Sequence, residues 1–203
     1  MSRDRIVIIG SGIAGAATAY FLTRKGAKDV VIIEKEKIAG VHATGLNAAI
    51  LRSFIPTPLI NRIACESADF YRNPPEGFAS EPLVDQVGVY LAARTEHAQT
   101  LQKWCDDNPE SGLQQSDATP VYEQIPLLAP GLSLAAYKPD DGVLDVHAIL
   151  QGFLRGAAKS GAEVCYGREF KSLQTNNGSV LGVETDESFI EASKVVAANG
   201  AWA

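Results

Sequence analysis

Four apolar residues, Ile6-Val7-Ile8-Ile9, stand between Arg5 and Gly10. A β-branched run without polar alternation predicts a strand buried on both faces. From Ile13 onward, small and apolar residues recur at helical spacing. Ala19 and Leu22 fall on the packing face, and Gly26 is placed to end the helix. Val30-Val31-Ile32-Ile33 repeats the first run and stops on Glu34. Farther along, Asn61 to Pro75 reads as a helix closed by two prolines, and residues 83–93 as a strand in a separate sheet. Residues 95–107 read as a surface helix. Residues 113–131, broken by three prolines, read as a short helix with loops that covers a site. Asp145 is placed as the N-cap of a helix from Val146 to Ser160. Residues 162–167 and 168–175 read as strands, Asn176-Asn177-Gly178 as a hairpin turn, and residues 179–186 as the returning strand. The chain then supplies an edge strand and a buried strand, Val195 to Ala198, that ends at glycine.

The glycines after the first strand narrow the chemistry. Gly10, Gly12 and Gly15 have G-x-G-x-x-G spacing, and each has a separate task. The first permits the tight turn, the second lets a pyrophosphate approach the backbone, and the third lets helix and strand pack closely. The helix N-terminus offers free N–H groups and partial positive charge to an anion. Glu34 ends the second strand about 20 residues beyond the third glycine, where a carboxylate accepts hydrogen bonds from both hydroxyls of an adenosine ribose. The same carboxylate repels a 2′-phosphate, which disfavours NADP. A glycine turn that merely packs a helix on a sheet does not explain an acid at the end of a buried strand.

Composition removes other classes. The 203 residues allow one domain or two small ones, with 46% hydrophobic and 21% charged residues. A net charge of −6 with no basic block excludes a nucleic-acid partner. No apolar run is long enough to cross a bilayer, and nothing resembles a signal peptide. Cys65, Cys105 and Cys165 lack CxxC spacing. They read as reduced packing thiols of a cytoplasmic protein, with no metal site.

The stretch after the acid, EKEKIAGVHATGLNAAILRSF, bears on which dinucleotide is bound. Lys35, Gly40, His42, Thr44, Gly45, Asn47, Ala48 and Ala49 match a basic residue, a short loop and a Gly-x-x-Ser/Thr-Gly element. On these residues the chain resembles the FAD-dependent amino-acid oxidoreductases, which include glycine oxidase, sarcosine and dimethylglycine dehydrogenases and D-amino-acid dehydrogenases. NPPEGF, YKPDDGVLDVHAILQGFLRG and VVAANGAWA extend the resemblance over nearly the whole chain, closest to D-arginine-dehydrogenase-like enzymes. It implies an α/β fold. A Rossmann-like FAD-binding domain of the glutathione-reductase type would comprise residues 1–75 and 138–203, with an inserted α+β segment, 76–137, forming part of a substrate or cap domain. A helix is expected to open at Thr44-Gly45 beside the flavin. Relatives of this kind continue past Gly-Ala-Trp-Ala, so the chain reads as truncated at its C-terminus. The rest of the enzyme would be a missing C-terminal half or a second subunit.

The resemblance also implies the site. FAD would be held by Gly10, Gly12, Ile13, Ala14 and Gly15 of the first loop, and by Glu34 and Lys35 after the second strand. His42, Ala43, Thr44, Gly45, Asn47, Ala48 and Ala49 would form the second loop, with Phe170 beside the adenine and Ala198, Gly200 and Trp202 at the last turn. The partner is a small amino acid or amine, whose C–N bond is oxidised as the flavin accepts a hydride. Ile50 and Arg52 are the substrate-side catalytic candidates. Arg52 reads either as a carboxylate binder or as a surface arginine. His42 reads either as a covalent FAD attachment or as a loop histidine packed through its backbone. Asp140-Asp141 reads as a solvated turn. Polar groups of the D-arginine type fall at Ile50, Ile55 and Gly88, which are apolar or absent here, so the expected substrate is small or apolar. Two other functions stay open: an NAD-linked Rossmann dehydrogenase and a non-catalytic FAD-binding subunit.

Overall fold

A computed structural model describes residues 4–203. In chain order it contains β1 (Ile6–Ile9), α1 (Ile13–Arg24), β2 (Val30–Glu34), β3 (Ile50–Leu51), α2 (Pro58–Arg72), β4 (Val84–Asp85), β5 (Val89–Arg94) and α3 (Thr95–Asp106). Then follow β6 (Gln114–Ser116), α4 (Thr119–Gln124), β7 (Leu132–Lys138), β8 (Gly142–Leu144) and α5 (Val146–Lys159). The last elements are β9 (Glu163–Tyr166), β10 (Phe170–Asn176), β11 (Ser179–Thr185), β12 (Phe189–Glu191) and β13 (Lys194–Ala197).

The chain divides into two compact units. The first holds the segment up to Ala48, Glu76–Glu81 and Val146–Ala203; the second holds Ala49–Pro75 and Pro82–Asp145. The first unit is layered on a parallel sheet of order β13-β1-β2-β9. The alternation of side chains sorts the two β-branched runs onto two faces. Val7, Ile9, Val31 and Ile33 pack with Val183 and Ala192 of the antiparallel β10-β11-β12 layer, joined by Cys165, Phe170 and Ile190. On the other face lies α1. A Cβ on Gly15 would sit 1.9 Å from the Gly10 carbonyl oxygen and 3.3 Å from Ile8, so only glycine lets this helix approach its strand. The helices α1 and α5 meet through Tyr20, Phe78 and Phe153, whose ring centroids lie 5.0–5.6 Å apart. Gly152 and Gly156 leave room for the Phe78 and Tyr20 rings. The β10–β11 hairpin closes at Asn177 and Gly178 with φ of 48° and 79°, the positive values a two-residue primed turn requires.

The second unit holds two three-stranded antiparallel sheets, β3-β8-β4 and β5-β7-β6. Leu101 and Cys105 of α3 pack on Ala93 and Ala136 of the latter.

Several expectations are corrected. Residues 83–93 do not form one strand: they break at Gly88, φ +77°, and feed β4 and β5 into different sheets. A Cβ at Gly88 would lie 2.0 Å from the Tyr137 hydroxyl, so the break is also a close approach. No helix opens at Thr44-Gly45. The amides of Gly45 and Leu46 both donate to His42 O, making a single turn. Ala49 then takes φ +55° and the chain becomes extended, because Ile50 must pair with Val143. The strand near Val195 is half-buried at one end of the sheet order rather than interior. The unit boundaries differ from 75/76 and 137/138. Phe78 is bound into the α1–α5 contact, Arg155 donating to its carbonyl, while β3 pairs with β8. Asp141 is not a solvated turn residue: it is 0% exposed. Of the packing thiols, Cys65 is exposed. Among the described residues no helix is long and apolar enough to cross a membrane.

Candidate functional site

The first unit brings the two glycine loops together. β1 delivers Gly10 at φ +100°, and a Cβ there would lie 2.6 Å from the carbonyl oxygen of Ala198, which follows β13. The first turn of α1 holds no acidic residue. Its Ile13 amide donates to Thr44 Oγ1 at 3.0 Å, and a Cβ on Gly12 would lie 3.1 Å from the same oxygen. Thr44 thus reaches from the second loop to the helix N-terminus where the sequence reading expects a diphosphate. Gly45 is also required, since a Cβ would sit 2.5 Å from Gly40 O. Asn47 closes the turn by donating to Thr44 O. Ala43, Gly45, Asn47 and Ala48 are exposed on this turn, and Ala49 carries its positive φ at the exit.

Glu34 sits at the C-terminal end of β2 and is 9% exposed. Its Oε2 accepts both the amide and the hydroxyl of Ser11 at 2.8 Å, and its Oε1 accepts the Glu36 amide at 3.0 Å. A carboxylate has about four lone-pair sites. Three are therefore engaged within the protein, and Oε1 keeps one open. Ser11, fully buried between the first two glycines, was not among the sequence candidates. Its only signal was a small polar residue just past β1, level with the acid that ends the adjacent β2.

Beyond Glu34, the Lys35 ammonium lies 3.5 Å from the centroid of the Trp202 ring. The His42 ring is 4.5 Å from that of Trp202, and its Nε2 is 2.8 Å from Glu36 Oε1. The side chain of His42 is therefore engaged within the protein. Phe170 begins β10 and packs, partly buried, against the core cluster of the first unit; on β9, burial and Glu34 push the Tyr166 hydroxyl up in pKa. At the last turn Gly200 has φ +60°, and the buried Oδ1 of Asn199 has no donor. An unpartnered acceptor beside Gly10 fits a ligand that brings hydroxyl donors. Glycines that admit no side chain, an open helix N-terminus without acids, and an acid with one free lone pair together fit a dinucleotide. Among the described residues no cluster of metal-binding side chains is present.

The substrate-side candidates lie in the second unit. Ile50 begins β3 and is 56% exposed; Arg52 is exposed beyond its end, without an ion pair among the described residues. Beneath them Asp141 accepts the Ser53 amide at 2.8 Å, the Ser53 hydroxyl at 2.6 Å and Arg72 Nη2 at 3.0 Å. Cys65 Sγ in turn lies 3.2 Å from Ser53 O.

The profile of the family described as FAD dependent oxidoreductase matches residues 5–203. The chain is 31% identical to the mitochondrial dimethylglycine dehydrogenase of Homo sapiens, over 99% of this chain and 24% of that protein. It is 28% identical to the glycine oxidase of Pseudomonas putida, over 98% of this chain and 55% of the other. The solved glycine oxidase of Bacillus cereus superposes with a TM-score of 0.80 at 26% identity, covering 98% of this chain and 57% of that one. The chain thus spans between about a quarter and about half the length of these relatives. Matched from β1 to its last turn, the chain belongs to the FAD-dependent oxidoreductase family.

Proposed function

We propose that this chain supplies the FAD cradle, and part of the substrate side, of an oxidoreductase acting on the C–N bond of an amino acid or secondary amine. The observation that carries the reading is the meeting of the two glycine loops at Ile13 N–H and Thr44 Oγ1, beside the acid that ends β2. The diphosphate would lie against the α1 N-terminus and Thr44. Glu34 would take an adenosine hydroxyl on its open lone pair, and Asn199 Oδ1 would accept a further donor. Phe170 would pass the adenine, with Lys35, His42 and Trp202 around the sugar. Bound flavin supplies a two-electron acceptor for a hydride from the carbon bearing the nitrogen. The nitrogen loses a proton as the C=N bond forms, and water then releases an oxo product and ammonia or an amine. Ile50 and Arg52 would be the chain's substrate-side residues, Arg52 as a partner for a carboxylate.

The finer reading is a D-amino acid or N-substituted glycine with a small or apolar substituent. It rests on Ile50, Ile55 and Gly88, which provide no polar partner for a cationic side chain. The NAD-linked alternative gives way to membership of an FAD-dependent family and to the second glycine loop, which such an enzyme does not need. The test is the absorption spectrum of the purified full-length polypeptide, before and after an anaerobic pool of D- and L-amino acids and N-methylated glycines. Oxidised-flavin bands that bleach with one member are expected. Because His42 Nε2 is held by Glu36, acid precipitation should leave the flavin in the supernatant. Absence of flavin overturns the cofactor reading. Flavin that no amine reduces overturns the activity and leaves a binding subunit.

A further inference from the structure

Ser11 stands between Gly10 and Gly12 and is 0% exposed. Its amide and its hydroxyl both donate to one oxygen, Glu34 Oε2, each at 2.8 Å. The amide alone, which almost any residue supplies, would tie this loop to β2. The hydroxyl changes something else: what the carboxylate has left to offer. The frame beneath the acid is fixed as well. The Gly10 amide donates to Ile33 O at 2.8 Å, and the Arg168 amide donates to Glu34 O at 2.7 Å. The Glu36 amide holds Oε1 at 3.0 Å. The carboxylate therefore meets a ligand in a set orientation.

Among the described residues, both lone-pair sites of Oε2 go to Ser11 and one site of Oε1 goes to Glu36. An adenosine sugar carries two neighbouring hydroxyls. A carboxylate with an open site on each oxygen can take both of them. Here Ser11 closes Oε2, so one hydroxyl finds an acceptor on this acid and its neighbour does not.

We infer that Ser11 is a positioning residue that makes Glu34 the reader of a single hydroxyl of the adenosine sugar. Ser11 acts through the carboxylate and touches no cofactor atom itself. This rests on the proposed FAD cradle and adds to it the residue that sets which sugar contact counts. Alanine at position 11 would keep the amide bond and release one site on Oε2. Glu34 would then have an open site on each oxygen and would read both hydroxyls.

The experiment titrates the full-length polypeptide, by flavin fluorescence, with FAD and with two FAD analogues whose adenosine sugar lacks either the 2′- or the 3′-hydroxyl. In the wild-type protein one analogue should bind about ten- to a hundredfold more weakly than FAD, and the other within about threefold of it. In Ser11→Ala the second analogue should also fall behind FAD, by about tenfold. Ser11→Cys fills nearly the same space with a weak donor and should shift the ratios the same way. A serine that only packs the loop would change the affinity for all three ligands in proportion. Unchanged ratios in a folded variant therefore overturn the assignment. Equal penalties for the two analogues in the wild-type protein overturn it without any variant. A wild-type protein that binds none of the three ligands would instead sink the FAD reading, and this inference with it.

Discussion

At Glu34 one carboxylate answers to two masters. It ties the first glycine loop to β2 through Ser11, and by the proposed reading it also meets the cofactor's sugar. Truncation therefore has two separable consequences. Glu34→Ala leaves the buried Ser11 amide and hydroxyl and the Glu36 amide without their acceptor, which should cost about 1–3 kcal/mol of stability. It should also weaken FAD about ten- to a hundredfold, the worth of a charged hydrogen bond. Thermal denaturation without flavin reads the first effect, and a fluorescence titration with FAD reads the second. A variant destabilised to this extent but with unchanged FAD affinity would make Glu34 a loop anchor only.

At the scale of elements, the short sheet β3-β8-β4 is held by more than its ladder. β3 has two residues, too few to hold a register by backbone pairing alone. The Asp141 carboxylate extends the contact by taking both donors of Ser53, and Arg72 neutralises it from α2. Removing one partner of such a buried set leaves uncompensated charge. Asp141→Ala should cost about 3–5 kcal/mol in denaturant unfolding, and Asp141→Asn, which keeps one acceptor oxygen, less. A loss below about 0.5 kcal/mol for Asp141→Ala would mean that water already serves Arg72 and Ser53.

Across the whole molecule the three cysteines report on the two units. Cys65 is exposed and Cys105 buried in the second unit, while Cys165 is half-buried in the first. Burial and the neighbouring Asp106 push the Cys105 thiol up; burial and Glu163 do the same at Cys165. A raised thiol means that the folded state holds its proton more tightly than the unfolded chain. That contribution is fully present below the ordinary thiol value, about 8.5, and is lost as pH climbs through the raised value. The unfolding midpoint should therefore fall above about pH 8.5 more steeply in the native protein than in Cys105→Ala. Alkylation should label Cys65 first and Cys105 only on unfolding. Identical pH slopes, or early labelling of Cys105, would contradict the burial of that thiol.

The parts that could be read from residue order are those written locally. Three glycines at set spacing, two β-branched runs and Asn-Asn-Gly each state a dihedral or a periodicity that a few neighbouring residues satisfy among themselves. They specify β1, α1, β2 and the β10–β11 hairpin without reference to the rest of the chain, and Glu34 follows from its place at the end of β2. Packing between distant segments settled the remainder. Asp140 and Asp141 look alike in sequence, but Arg72 and Ser53, brought from far along the chain, bury the second. Gly88 splits the stretch 83–93, readable as one strand, because Tyr137 fills the space a side chain would need. Thr44 turns back to α1 rather than opening a helix, since a glycine loop remote in sequence offers it an amide. Burial and hydrogen-bond partnership are pairwise properties of residues far apart in the chain, so no local pattern records them.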